Sequence, residues 1–466
     1  MRGGRGPSLV FFPLPGLAQA PATGTDDWPT YHHDVGRSGV DPNTPAFKDV
    51  KSDWTSALFD GDVYAEPLYV GGQVIVVTEN NSVYSVDSVS GATAWQVNLA
   101  QPADASQTQC TNIRPTVGIT STPTADPAAG LLYVVALLGL PFQYELFGLG
   151  LADGSVQFER ALDAEGLTPR FHQQRGALGL ANGRVYIPFG GFHGDCQPYR
   201  GRVVAVSATE DAAPLLQYVV PADRGGIWAP GGGAIDAQGN LYVATGNGVG
   251  TNFNDRSSSV LELSATLEEG SFWTAADLPN LNRNDIDIGS LAPTLLPDLN
   301  LVFQAGKNSY GYLLQAGELR GIGGELYASE LLPFALGRDR CSGAWGGTAY
   351  VSPVIYLSCG TRIIALRATL SRADMPGMPG FSVDWAGPTQ VRDVEPAVGS
   401  PIVAGGAVWA MDFHGHLVAL DTHTGALRFQ VDLPGVPTHF STPSSGGGRI
   451  YAAAGRQLAA FILSPD

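Results

Sequence analysis

The chain has 466 residues, with 60 Gly, 33 Pro, only 15% charged residues and 44% hydrophobic residues. Turn formers spread between apolar segments suit many short strands and argue against long helices or a low-complexity disordered chain. The 43 acidic residues outnumber 26 basic ones for a net charge of −17, which excludes nucleic acid as the main partner, favours solubility and would welcome a cation such as Ca²⁺.

Length alone would suggest about three domains. A closed ring of repeats can instead absorb the whole chain as one domain. Residues 1–20 read as an export signal: Arg2 and Arg5 precede the short apolar run from Leu9 to Leu17, and Ala18-Gln19-Ala20 matches an A-x-A cleavage site. No other stretch approaches the roughly 18 apolar residues needed to cross a bilayer. The expected location is outside the cytoplasm, secreted or in the periplasm or cell envelope. Residues 21–46 form a leader, in which His32-His33-Asp34 is expected on an exposed strand rather than at a metal.

From residue 47 to 466 the chain reads as a propeller. The clearest unit is Tyr64–Val70, a Gly71-Gly72 turn, Val74–Thr78, Ser82–Asp87, a turn ending at Gly91, and Ala94–Val97. Four β-rich runs separated by turns make one antiparallel meander. The same order returns at Ser400–Val403, Ala407–Ala410, His416–Asp421, Gly425 and Leu427–Gln430. Asp87-x-x-x-Gly91 and Asp421-x-x-x-Gly425 are the same turn, an Asp accepting backbone N–H groups and a Gly permitting positive φ. Weaker copies start near Gly118, Arg175, Gly226, Gly289 and Trp345, and a last one at Phe440 stops after about three strands. Its missing outer strand is expected from the N-terminal part, around Asp53–Leu58. Closing the ring in this way removes two exposed sheet edges. The expected fold is all-β, a single eight-bladed β-propeller of four-stranded antiparallel blades, with seven blades as the alternative.

The four cysteines, Cys110, Cys196, Cys341 and Cys359, contain no C-x-x-C pair and no C-x-x-C-H for attaching haem. In an oxidising compartment they are expected as disulfides. Cys341–Cys359 is favoured as the closest pair, within one repeat, and Cys110–Cys196 follows.

The turn Leu420-Asp421-Thr422-His423-Thr424-Gly425 with its aromatic outer strand resembles the quinoprotein (pyrroloquinoline quinone) propeller repeat, and Trp28–Gly39 is similar to the leader of exported members. That repeat serves quinone-dependent alcohol and sugar dehydrogenases and also non-enzymatic scaffolds, so the fold alone leaves the activity open. A second similarity lies at Gly225-Gly226-Ile227-Trp228, Thr245-Gly246-Asn247, Asp285-Ile286-Asp287 and Gly306-Lys307. In the alcohol dehydrogenases the matching stretch holds quinone and calcium. The resemblance implies Trp228 as a stacking platform, Asn247 as a Ca²⁺ ligand and quinone contact, and Lys307 as a cation on the quinone oxygens. It also implies Asp287 or Asp285 as the base that takes the hydroxyl proton from a small alcohol or sugar. Glu66 lies close to a quinone-contacting Glu of the first blade.

The departures are specific. No adjacent cysteine pair is present, and Cys196 stands where a calcium-binding Glu would precede Arg200-Gly201, with Asp195 beside it as the available substitute. Each residue also has a structural reading: Trp228 as blade packing, Asn247 as a turn residue, the two aspartates as loop caps and Lys307 on a surface hairpin. The alternative function is therefore a non-catalytic propeller that binds a protein or glycan on its ring face.

Overall fold

Each repeat folds as the pattern of its turns dictates. In the computed structural model, which describes residues 26–108, 110–196, 198–209, 213–332, 341–387 and 399–465, blade 1 consists of Leu68–Val70, Gln73–Val77, Ser82–Asp87 and Thr93–Asn98, paired in that order. The two middle strands are buried on both faces, whereas the outer strand alternates towards solvent. Sheets stacked face to face around an axis produce this gradient, since the outermost strand lies at the rim of the ring.

Seven further sheets repeat the meander. Their innermost strands are Thr124–Asp126, Gly179–Ala181, Ala234–Ile235, Thr294–Leu296, Thr348–Val351, Ile402–Ala404 and Ser444–Gly446. The eight starts read from the sequence each lie a few residues before one of these strands, so the ring has eight blades rather than seven. Blade 8 takes its outer strand from Phe47–Thr55, which pairs antiparallel with Gln457–Pro465. The closing strand thus starts earlier in the chain than Asp53 and ends at Thr55.

Blades are held to one another by a repeated tryptophan contact. Asp87 Oδ1 accepts the Ser90 N–H at 2.8 Å and Asp421 Oδ1 the Thr424 N–H at 2.9 Å, and Gly91 and Gly425 have φ of 72° and 67°. Trp54 of the closing strand lies over Gly91, where an added Cβ would stand 2.7 Å from the indole, and donates its Nε1–H to Ser88 O at 3.0 Å. Trp385 covers Gly425 in the same way and donates to Thr422 O at 2.9 Å. Glycine is required twice at these turns, by the positive φ and by the indole on top.

The leader is not an exposed strand. Trp28, Tyr31, His32 and Arg37 are all buried. Its backbone runs inside the ring against the innermost strands: Trp28 N donates to Tyr69 O, Ala125 N to Pro29 O, Ile235 N to Val35 O and Tyr350 N to Ser38 O. Val40–Asp41 then adds a parallel strand to Ile402–Ala404 of blade 7. Sequence polarity misleads here because backbone and side-chain hydrogen bonds to many blades, rather than an apolar face, bury the segment. His32 Nδ1 lies 2.9 Å from Thr348 O, a pure acceptor, so this nitrogen carries the proton, and burial lowers the His32 pKa to about 3. His32 is a neutral packing residue against Tyr31, not a metal ligand.

Both expected disulfides are formed, Cys110–Cys196 with Cα atoms 6.2 Å apart and Cys341–Cys359 with 5.0 Å. Among the described residues no helix is long and apolar enough to cross a membrane. The export signal at residues 1–20 lies outside the described residues.

Candidate functional site

In an antiparallel four-stranded blade, the loops entering the first strand and the turns between the second and third strands lie on one face of the ring. A cavity of about 620 Å³ opens among loops of this kind, including those entering blades 1, 3, 4, 5 and 8. Trp228, Asn247, Asp285, Lys307 and Asp195 all line it. Five of the seven residues singled out in the sequence are therefore brought together.

Trp228 owes its seat to two glycines. A Cβ on Gly190 would stand 2.7 Å from the Trp228 Cβ, and one on Gly246 would stand 3.0 Å from Nε1. The indole faces Lys307, whose Nζ is 5.3 Å from the ring centroid, and Phe440 at 6.4 Å. Asn247, buried, follows Gly246, and its carbonyl accepts the Gly225 N–H. The Arg200-Gly201 loop comes close because residue 201 has no side chain: a Cβ there would lie 1.9 Å from Gly225 O.

Lys307 sits between two carboxylates, with Nζ 2.9 Å from Asp285 Oδ1 and 2.8 Å from Asp287 Oδ2. Asp285 is largely exposed and ends the short helix Leu278–Asn284 in a left-handed conformation. Asp287 is fully buried beneath Lys307 and does not line the cavity. Its contact with the ammonium is an ion pair without a well-directed hydrogen bond to either oxygen. Burial pushes the Asp287 carboxyl above its usual range, and Lys307 pulls only part of that back. Burial would lower the Lys307 pKa, but Asp287 first and then Asp285 more than reverse it, so the lysine stays charged.

Asp195 accepts the Tyr199 hydroxyl at 2.8 Å and faces Arg224 at 3.8 Å. Glu66 is placed elsewhere. It is buried on the leader side, accepts Trp28 Nε1–H at 2.5 Å and the His32 N–H at 3.2 and 3.1 Å, and does not line the cavity. Burial holds its carboxyl well above the usual range, against those hydrogen bonds and Arg37. It anchors the leader rather than facing a ligand.

The remaining lining was not singled out in the sequence. Arg175, Arg224 and Arg283 join Lys307, against the carboxylates of Asp195 and Asp285, while Tyr64 and Phe440 add aromatic wall. The wall carries a surplus of positive charge in a chain whose net charge is −17. The lining fits a flat, anionic, aromatic molecule. It does not fit calcium: each nearby carboxylate already faces a protein cation, and no three His, Cys, Asp or Glu residues among those described gather closely enough to hold a metal.

Residues 48–232 match the family model described as outer membrane protein assembly factor BamB. The fold is similar to quinohemoprotein alcohol dehydrogenase from Comamonas testosteroni, with 17% identity, TM-score 0.68, and 96% of this chain and 82% of that one covered. It is also similar to a europium-containing methanol dehydrogenase, with 14% identity, TM-score 0.68, and 94% and 98% covered. BamB from Moraxella catarrhalis is a third neighbour, with 13% identity, TM-score 0.57, and 89% and 100% covered. No curated protein sequence matches the chain significantly.

Proposed function

We propose that this chain, folded as a β-propeller of the pyrroloquinoline quinone type, acts outside the cytoplasm as a dehydrogenase that binds a planar carboxylated quinone in the cavity and oxidises the hydroxyl of an alcohol or sugar. The observation that carries this reading is the meeting of Trp228, Asn247, Asp285 and Lys307 on one wall. Trp228 offers the flat apolar face on which an aromatic ring system stacks. Lys307, fixed by its two carboxylates, presents a permanent positive charge 5.3 Å from that ring, where it would stabilise negative charge developing on a stacked ligand. Asn247 supplies an amide at the same wall. The quinone, when bound, supplies the two-electron acceptor. Asp285 is the carboxylate at the cavity surface and takes the hydroxyl proton, while the buried Asp287 positions Lys307. No step is assigned to calcium, because Lys307 already provides the positive charge between the carboxylates. With no C-x-x-C-H for haem, electrons leave to a separate acceptor.

The test is a titration of the purified protein with pyrroloquinoline quinone, followed by tryptophan fluorescence and by dye reduction with alcohols and sugars. Saturable quenching is expected, weakened at least about tenfold in Trp228→Ala. Asp285→Asn should keep the binding and lose dye reduction. Absence of saturable binding would sink the proposal. In that event the second reading, a scaffold that binds a protein or glycan on its ring face, takes its place, supported by the match of residues 48–232 to the BamB family model.

A further inference from the structure

The cavity wall also contains a buried cation with no ion-pair partner among the described residues, on which the buried Glu79 acts only at longer range. Arg175 is only 8% exposed, yet among the described residues no carboxylate lies within salt-bridge distance of its guanidinium. The group lies over two aromatic rings, 5.2 Å from the Tyr64 centroid and 5.4 Å from that of Phe440. Of its five N–H donors, one is used in a hydrogen bond to protein, from Nη2 to His439 O at 2.7 Å. That bond runs from the loop entering blade 3 to the loop entering blade 8, so the guanidinium is fixed in place rather than free to swing out to solvent. Arg175 lines the cavity, and its remaining N–H groups are the part able to meet a ligand there.

A buried charge held rigidly without a partner is costly to fold, and the cost is offset when a ligand supplies the counter-charge. A planar fork of unused donors matches the paired oxygens of a carboxylate. Phe440 neighbours both Arg175 and Trp228, so a molecule oxidised at the Trp228–Lys307 wall can reach Arg175 with a distant group of its own. Arg224 and Arg283 on the same lining draw an anion in.

We propose that Arg175 is a carboxylate-binding subsite of this cavity and that the molecule oxidised here is an acidic one, a hydroxyl compound bearing a carboxylate, rather than a neutral alcohol or sugar. The inference rests on the cavity being the ligand site described above. It names the substrate class and makes Arg175 a specificity-determining residue.

The experiment compares gluconate with glucose, two polyols that differ in one carboxylate, by calorimetry on the full-length protein with and without pyrroloquinoline quinone. Gluconate should bind saturably without quinone, and glucose at least about tenfold more weakly. Arg175→Gln should abolish that preference, and Arg175→Lys, which keeps the charge but loses the fork, should retain part of it. Melting curves should show both variants folded, since Arg175 lines the cavity and gives the protein one hydrogen bond and two aromatic contacts. Equal binding of the two polyols would overturn the proposal, as would unchanged gluconate binding in Arg175→Gln or a loss confined to quinone affinity. Should gluconate bind while the quinone does not, the subsite stands and the dehydrogenase reading falls.

Discussion

Arg37 and Arg175 are both buried, and they are treated in opposite ways. Arg37 of the leader gives its donors to protein: Nε to Gly233 O, Nη1 to Thr30 Oγ1 and Tyr31 O, and Nη2 to Leu178 O. Arg175 gives one donor to one carbonyl. Around Arg37 the leader, Glu66 and the innermost strands satisfy one another, and the region is finished as a piece of architecture. Around Arg175 the aromatic rings sort themselves by packing while the charge is left over. Buried polarity of the first kind belongs to the fold, and buried polarity of the second kind waits for something to bind.

If that division holds, damage at the leader should cost stability and leave ligand affinity alone. Trp28→Ala removes a fully buried indole and the donor to Glu66, a carboxyl that burial already disfavours in its charged form. The expected loss is about 5 kcal/mol, from the cavity together with the unsatisfied acceptor. Chemical denaturation would read it, and gluconate affinity of the folded fraction should not change. A matching fall in affinity would break the comparison.

The Lys307 cluster lies between the two extremes, since it both lines the cavity and holds a buried carboxylate. Lys307→Met should cost about 3 kcal/mol at neutral pH by leaving Asp287 uncompensated. Burial holds the Asp287 pKa above its usual range even with the lysine present, and without the lysine it rises further. The penalty is therefore present above that raised pKa and shrinks as pH falls through it and the carboxyl takes up a proton. Adding Asp287→Asn should recover most of the loss at neutral pH. A penalty independent of pH would mean that Lys307 matters for packing alone.

The blades were legible because their signal is local. Each turn declares itself by Gly, Pro or Asp, and each strand by a short apolar run, so the starts from Tyr64 to Phe440 are written in the sequence. Part of the wall was legible by resemblance, since Trp228, Asn247 and Lys307 follow one another in order, but of the two aspartates it is Asp285 that lines the cavity, while Asp287, the first expected base, lies buried beneath Lys307. The leader was not. Trp28–Gly39 is polar and short, and its burial depends on carbonyls of blades that lie hundreds of residues away. The helix Leu278–Asn284 has only two buried side chains and a proline at its start, too little for a helical period to emerge. Glu66 looked like a ligand contact, yet its carboxylate turns to Trp28 and His32. Arg175 was invisible as a site residue because Tyr64, Phe440 and His439 reach it from separate parts of the chain.

The finest test of the division concerns Glu79, a buried carboxyl whose charge acts on Arg175. Its Oε2 accepts the Gly118 N–H at 2.6 Å, while Oε1 has no partner. Burial raises its pKa to about 7, with Gly118, Thr120 and Arg175 pulling back and Asp62 adding to the rise; Tyr64 and Tyr144 also lie within its field. Because the folded pKa is raised, the stabilising effect is fully present below the ordinary carboxylate range and is lost as pH climbs through about 7. Over that same interval Glu79 becomes an anion and offsets part of the Arg175 charge. Gluconate affinity should therefore fall several-fold between about pH 6 and 8, and Glu79→Gln, which stays neutral, should flatten the profile. Calorimetry across that range reads both. If the wild-type profile is already flat, Glu79 belongs with Arg37 among groups that serve only the fold, and Arg175 acts alone.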